Sequence, residues 1–115
     1  MKSILFTLII FLTIASQKCR KDAPGNIPEC IQEKINQIKK EPKWNPPAVV
    51  REYEYQGKRV FYFSSQCCDQ YNVVYDEHCN YICAPTGGYT GKGDMKCEDF
   101  MATAKEIGVV WKDER

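Results

Sequence analysis

The chain has 115 residues, of which 16 are basic and 15 are acidic, so its formal net charge is +1. Because its charges nearly balance, the chain lacks the excess of basic residues that is typical of nucleic-acid-binding proteins, and no nucleic-acid partner is expected. The sequence also lacks an acidic run, an internal repeat and a low-complexity segment.

Residues 1–18 are predicted to be a signal peptide. Met1-Lys2-Ser3 forms a short positive segment, and an apolar run of 12 residues follows at positions 4–15. That run is too short for a bilayer span, which needs about 20 residues. The remaining chain of about 95 residues is long enough for one domain and too short for two. We therefore expect an exported protein that is periplasmic, secreted or displayed at the cell surface.

Two processing routes fit the segment after the apolar run. Small residues at positions 15 and 16 suit an ordinary signal peptidase. Alternatively, Cys19 is a lipidation candidate that would stay as the new N-terminus, although Lys18 stands where a small residue is normal. A lipid on Cys19 is the only membrane attachment that the sequence suggests. Residues 19–26 are predicted to be a flexible tether, and residues 27–115 to form a single disulfide-stapled domain.

The first predicted element is an amphipathic helix with an apolar stripe at helical spacing. Pro28 suits its first turn, where the missing N–H costs nothing. Lys39 and Lys40 favour the C-terminal end, and Pro42 stops the helix. Trp44, in the connector that follows, is predicted to cover the core. The stripe consists of Ile27, Ile31, Ile35 and Ile38.

Two hairpins are predicted after the connector. The first joins VVREYEY to RVFYFS through a turn at Gln56-Gly57. The second joins residues 71–75 to residues 80–83 through a polar turn that contains His78. Together they predict an antiparallel meander of about four strands on which the helix packs.

The stretch APTGGYTGKGD, residues 84–94, is predicted to be an ordered but irregular loop. It does not match a phosphate-binding loop, because Thr86 and Gly93 stand where Gly and then Ser or Thr are required. Tyr89 is expected to pack its ring onto the sheet. Asp94 is expected to cap a short C-terminal helix over residues 95–107. The predicted fold class is therefore α+β.

Six cysteines lie in the predicted domain, and in an exported protein they are expected to form disulfides. Their spacing argues against zinc, because the adjacent Cys67 and Cys68 would have to supply half of the site. In extended chain these two side chains would point to opposite faces and take different partners, for which Cys30 and Cys97 are preferred. A direct bond between them would close a strained eight-membered ring and is disfavoured. The six are Cys30, Cys67, Cys68, Cys79, Cys83 and Cys97.

Several motifs together resemble a family of small exported proteins of Bacteroidetes-type bacteria. They are CIQEKINQIKKEPKWNPPA, YEYQGKRVFYF, QCCDQY, VVYDE and ICAPTGGYTGKGDMKCEDF. The family is known as a domain of unknown function, and its members are often classed as lipoproteins. The resemblance covers about residues 27–100. It implies a disulfide-bearing extracytoplasmic domain and supplies no activity.

Two classes of function fit these observations. The first is a non-enzymatic binding or structural module of the cell envelope with a protein or glycan partner, because tyrosine and tryptophan are favoured at interfaces. Its candidate binding residues are Tyr89, Lys92 and Asp94 on the glycine-rich loop. The alternative is a small secreted inhibitor, or a hydrolase that uses this loop and nearby acids. Those acids are Asp69, Asp76, Asp94 and Asp99. No catalytic residue, metal or cofactor is expected.

Overall fold

A computed structural model describes residues 25–115. The predicted signal peptide, the lipidation candidate Cys19 and most of the predicted tether lie outside the described residues, so they stay predictions, as do the domain boundaries. In the described part of the chain, no helix combines the length and apolarity that a membrane span requires.

Helix α1 begins after Pro28 and ends shortly before Pro42, as the sequence predicts. Its isoleucine stripe lies on the sheet, and Ile31 and Ile35 are almost completely buried. The described elements, in chain order, are α1 (Glu29–Lys40), β1 (Val49–Tyr55), β2 (Lys58–Phe63), β3 (Tyr71–Asp76), β4 (Tyr81–Gly87), α2 (Phe100–Thr103) and β5 (Lys105–Lys112).

Within residues 25–115, the five strands form one antiparallel sheet in the order β4-β3-β2-β1-β5. The first four strands are the predicted meander. Gln56 and Gly57 join β1 to β2 with φ angles of 51° and 72°. A two-residue type I′ hairpin turn needs positive φ at both positions. The turn sets a register in which Tyr55 lies opposite Lys58 and Val50 lies opposite Phe63.

Both faces of the sheet are covered, so successive residues of a strand alternate between two cores. The first core lies beneath α1, where Val50, Phe61 and Phe63 meet the helix stripe and Trp44 covers them in part, as predicted. The second core lies beneath α2. Its buried members are Tyr55, Val60, Val74, Cys83, Cys97 and Phe100.

The predicted helix over residues 95–107 is wrong. Only Phe100–Thr103 is helical there, and Lys105–Lys112 instead pairs with the edge of β1. Met95 has a φ of 67°, and Cys97 is tied to β4 by a disulfide, so the chain before Phe100 is not helical. The later residues are rich in β-branched side chains, which favour strands. The α+β fold class itself is confirmed, with a fifth strand added.

The glycine-rich stretch is also more regular than its composition predicts. Strand β4 continues through residues 84–87, although these include Pro85 and Gly87. Strand β4 is an edge strand, so it is hydrogen-bonded to a neighbouring strand on one side only. A proline, which lacks the backbone N–H, is therefore tolerated in it.

The six described cysteines form disulfides, but the preferred partners are wrong. Cys30 is bonded to Cys79, and Cys83 is bonded to Cys97. Cys67 and Cys68 are bonded to each other. The expectation of different partners assumed extended chain, whereas Cys68 has a φ of 56° and the pair lies in a turn. Side chains in a turn need not point to opposite faces, which removes the basis of that expectation.

Candidate functional site: a groove between helix α1 and the sheet

A groove of about 290 Å³ opens on the α1 side of the sheet. Helix α1 forms one wall, strands β2 and β3 form the floor, and the segment between these strands forms the opposite wall. We call this site the α1 groove. Its lining residues are Lys34, Gln37, Ile38, Glu41, Trp44, Phe63, Ser64, Ser65, Gln66, Gln70, Tyr71, Val73 and Tyr75.

Four aromatic side chains line the groove, and neighbouring groups hold most of them in place. The Trp44 Nε1–H donates to Glu41 Oε2 at 2.8 Å. The Tyr75 ring packs edge-on against Phe63 with centroids 5.4 Å apart. Lys34 Nζ lies 4.3 Å from the Tyr75 ring centroid, within cation–π range. Tyr71 is 48 % exposed and presents its ring at the rim.

The wall formed by residues 64–70 is anchored by backbone and side-chain hydrogen bonds. At one end, Ser64 Oγ accepts from the Val49 N–H at 2.8 Å, and the Ser65 N–H donates to Asn72 Oδ1 at 2.7 Å. At the other end, the Gln70 carbonyl accepts from the Gly88 N–H at 3.0 Å, and within the wall the Gln70 N–H donates to the Cys67 carbonyl at 3.2 Å. This wall contains the exposed Cys67–Cys68 disulfide.

Amide side chains stand on both sides of that disulfide. Gln66 and Gln70 line the groove. Within residues 25–115, neither amide side chain has a hydrogen-bond partner from the protein. Each amide carries a carbonyl acceptor and an NH₂ donor. The groove therefore combines aromatic surface with polar groups that are free to bond a ligand.

The glycine-rich loop packs against this wall. The Gly88 N–H donates to the Gln70 carbonyl at 3.0 Å. A Cβ atom at Gly88 would overlap the Tyr71 ring, and one at Gly87 would overlap the Gln70 carbonyl. Both glycines have positive φ. They therefore let the loop approach closely enough to support the Tyr71 side of the groove.

The predicted binding residues on this loop are not joined to one another. Tyr89 is 91 % exposed, so the expectation that its ring packs on the sheet is wrong. Lys92 is exposed and its N–H donates to Thr90 Oγ1 at 3.3 Å. The Asp94 carboxylate accepts from the Tyr81 hydroxyl and from the Lys96 N–H. Ligand binding by Tyr89, Lys92 and Asp94 stays a prediction.

The Tyr81–Asp94 contact changes the acidity of both groups. Burial, and then the Asp94 carboxylate, raise the pKa of Tyr81 to about 12. Burial alone would raise the pKa of Asp94. The hydrogen bonds from Tyr81 and from the backbone outweigh that effect, so the pKa of Asp94 lies below its ordinary value of 3.8. Asp94 therefore fastens the loop to β4 and is not a helix cap.

The other acids of the hydrolase hypothesis are separate, and most are hydrogen-bonded locally. Asp76 accepts from the backbone N–H groups of His78 and Asn80, both at 2.9 Å. Asp99 accepts from the Tyr55 hydroxyl at 2.7 Å. Asp69 is exposed in the turn after Cys68. Among residues 25–115, no group of three or more His, Cys, Asp or Glu side chains is placed to hold a metal ion.

A family model matches residues 36–113, which is more than half of the chain. The chain belongs to the family described as a domain of unknown function, DUF6970. No curated protein and no solved structure matches it. The resemblance to a domain of unknown function is thus confirmed, while Bacteroidetes origin and lipoprotein status stay predictions. The match to the DUF6970 model includes β1 to β5 and the disulfide-bearing wall of the groove.

Sequence reasoning did not identify the α1 groove of the DUF6970 domain. Its surface comes from segments that are distant in sequence, represented by Trp44, Gln66 and Tyr75. One local signal was present. The motif QCCDQY places two amides and an aromatic ring beside a paired cysteine turn, and these residues form the wall.

Proposed function

We propose that the DUF6970 domain is a non-enzymatic binding module of the cell envelope, and that the α1 groove binds a saccharide unit of an envelope glycan. The observation that carries this proposal is the combination of aromatic side chains, among them the exposed ring of Tyr71, with unpaired glutamine amides in one groove. A pyranose ring has an apolar C–H face and a hydroxyl perimeter. Aromatic faces are suited to the first, and amide groups that both donate and accept are suited to the second.

The size and setting of the groove support a small neutral or weakly charged ligand. Its volume of about 290 Å³ lies at the lower end of the range for ligand pockets. Glu41 is already bonded to Trp44, and Lys34 lies over Tyr75. The remaining polar side chains of the lining are neutral and come from glutamine, serine and tyrosine. Neutral hydroxyl groups match that set of donors and acceptors.

The disulfides and the predicted signal peptide support the cellular setting of the proposal. Disulfides indicate a non-cytoplasmic protein, because the cytosol keeps thiols reduced. Export, and a position in the cell envelope or outside the cell, are part of the proposal. Envelope polysaccharides would then be the most abundant hydroxyl-rich partners within reach.

Binding to an array of envelope polysaccharide fragments, followed by calorimetry on the best fragment, tests the proposal. Tyr71→Ala should weaken binding by about tenfold, since the ring contributes stacking area at the rim. Gln70→Ala should weaken binding by about fivefold, which corresponds to one neutral hydrogen bond. Met101→Ala, on the α2 side and 57 % exposed, is the matched control and should leave affinity unchanged.

Two results would contradict this assignment. Loss of binding in Tyr89→Ala, together with normal binding in Tyr71→Ala, would move the site to the glycine-rich loop. Failure of every fragment to bind would refute the glycan as the ligand of the α1 groove.

A further inference from the structure

The Cys67–Cys68 disulfide differs from the other two in exposure and in what it connects. Both of its cysteines are exposed, whereas Cys83 and Cys97 are 1 % and 5 % exposed. The Cys30–Cys79 bond joins α1 to the turn after β3. The Cys67–Cys68 bond joins neighbours in sequence, so it crosslinks no distant parts of the fold. A staple that closes almost no loop contributes little to stability.

The position of this disulfide gives it direct influence on the α1 groove. The wall is held at Ser65, through Asn72, and at Gln70, through the Gly88 N–H. Between these anchors lie the two cysteines, flanked by the groove-lining Gln66 and Gln70. A change of shape confined to this short turn would therefore move groove residues without disturbing the sheet.

The turn that contains the Cys67–Cys68 bond has an uncommon backbone conformation. Cys68 has a φ of 56°, in the left-handed region that residues other than glycine rarely occupy. The Gln70 N–H donates to the Cys67 carbonyl across the turn. Opening the ring would free Cys68 to return to negative φ, which would break the geometry of that hydrogen bond.

We propose that Cys67–Cys68 is a thiol-exchange site for an external dithiol, and that its redox state sets the shape of the α1 groove wall. A thiolate of the dithiol attacks one sulfur, the Cys67–Cys68 bond breaks, and its electron pair leaves on the other sulfur, which takes a proton. The second thiol of the dithiol then attacks the mixed disulfide and releases the second cysteine as a thiol. The dithiol becomes a disulfide, and two electrons and two protons pass to the pair. The effect on ligand binding rests on the proposed function, whereas the exchange reaction does not.

Access decides which disulfide reacts first. An external thiolate must reach a sulfur atom in line with the bond that breaks, which exposure permits at Cys67 and Cys68 and burial hinders at Cys83 and Cys97. The Cys30–Cys79 bond lies at the first turn of α1, and both of its cysteines are half-buried. We therefore expect selective reduction.

The test titrates the full chain with dithiothreitol, blocks free thiols with N-ethylmaleimide and maps the labelled peptides by mass spectrometry, with Cys19 counted separately. After a short fixed incubation at each concentration, Cys67 and Cys68 should label at a dithiothreitol concentration about tenfold lower than the other four described cysteines, because the exposed bond is attacked faster, and the melting temperature should be unchanged at that stage. Amide resonances of Gln66, Gln70 and Gly88 should shift at that stage, while those of β1 stay fixed. The Cys67→Ser, Cys68→Ser double variant should reproduce the shifted resonances without reductant.

Thiol labelling tests the exchange site, and the amide resonances test its control of the groove. Neither measurement uses a glycan, so either part of the proposal can fail independently of the glycan assignment. Simultaneous labelling of all six cysteines, or earlier labelling of Cys30 and Cys79, would overturn the exchange site. Selective labelling with unchanged resonances of Gln66 and Gln70 would overturn control of the groove.

Discussion

At the scale of single residues, the most consequential pair is Glu52 with Arg59. Glu52 is a carboxylate on the α1 side of the sheet and is only 5 % exposed. The Arg59 guanidinium forms a salt bridge with it and also donates to the Asn26 carbonyl at 2.8 Å. Removal of one partner from a buried pair leaves an uncompensated charge, which is more damaging than the loss of the pair as a whole.

We therefore expect Arg59→Ala to lower the free energy of unfolding by about 3–5 kcal/mol. The matched control is Arg51→Ala, which removes the exposed pair with Glu106 at 2.9 Å and should cost about 0–1 kcal/mol. Urea denaturation of the two variants beside the wild type measures both values. Equal losses would show that burial of Glu52 carries no penalty here.

Tyr81 offers a second test at the residue scale, through its alkaline titration. Its pKa of about 12 lies above the ordinary value of 10.0 because of burial and the Asp94 carboxylate. A raised pKa means that the folded state holds the proton more tightly, so this contribution is complete below pH 10 and is lost as pH rises towards 12. Asp94→Asn should move the pKa of Tyr81 part of the way back, since burial remains. Ultraviolet absorbance of tyrosinate measures the pKa of Tyr81, and the Tyr81→Phe variant identifies which part of the titration curve belongs to Tyr81. An unchanged titration curve in Asp94→Asn would refute the contact between Tyr81 and Asp94.

At the scale of elements, the two long-range disulfides fix α1 and α2 to opposite faces of the sheet. Cys30 and Cys79 are 49 residues apart, and Cys83 and Cys97 are 14 apart. The chain-entropy relation gives about 4 kcal/mol for the longer loop and about 3 kcal/mol for the shorter one. Together they are comparable with the whole stability of a small domain, about 5–15 kcal/mol.

Paired serine variants should follow that order. Cys30→Ser, Cys79→Ser should destabilise the domain most, Cys83→Ser, Cys97→Ser less, and Cys67→Ser, Cys68→Ser least, because loop length falls in the same order. Removal of both partners avoids free thiols that could exchange. Guanidinium denaturation without reductant gives the three values. If the Cys67, Cys68 variant were the least stable, the bond would be a structural staple after all.

The elements that sequence predicts correctly are those defined by local pattern. Helix α1 has its isoleucine stripe, Pro28 and Pro42 within one short segment, and the β1–β2 hairpin is set by Gln56-Gly57. Strand β5 was missed because the segment MKCEDFMATAKEI is also compatible with a helix. The residues from Lys105 onward form a strand because β1 offers an edge with which they can pair. That edge is a property of the assembled sheet. The α1 groove was missed for the same reason, since Trp44, Gln66 and Tyr75 meet only after folding.

At the scale of the whole molecule, the end of the described chain ties the sheet to the helix. The Arg115 guanidinium donates to both oxygens of the buried Asp113 and to the carbonyls of Lys39 and Glu41 at the end of α1. The Asp113 N–H donates to the Ala48 carbonyl at 2.9 Å. Lys43 Nζ in turn donates to the Arg115 carbonyl at 2.6 Å. The free carbonyls at the end of α1 thereby receive donors that the helix cannot supply.

This cluster predicts how the domain responds to acid. The Arg115 hydrogen bonds lower the pKa of Asp113 from 3.8 to about 2, against the opposing effect of burial. A depressed pKa means that the folded state releases the proton more readily than the unfolded state. The contribution of Asp113 is therefore complete above pH 4 and is lost as pH falls through 3.8 towards 2. Asp76 and Asp94 titrate below their ordinary values as well, so acid sensitivity in this window is shared.

Asp113→Asn isolates the share that belongs to the cluster. The amide keeps the shape and an acceptor for Arg115 but carries no charge, so it should be less stable than the wild type at pH 6, and the difference should shrink steadily below pH 4. Melting temperature measured from pH 6 to pH 2 gives both curves. Asp69→Asn, an exposed carboxylate in the wall turn, is the control and should follow the wild type throughout. A constant difference between Asp113→Asn and wild type across this range would mean that the charge of Asp113 does not hold the sheet to the helix.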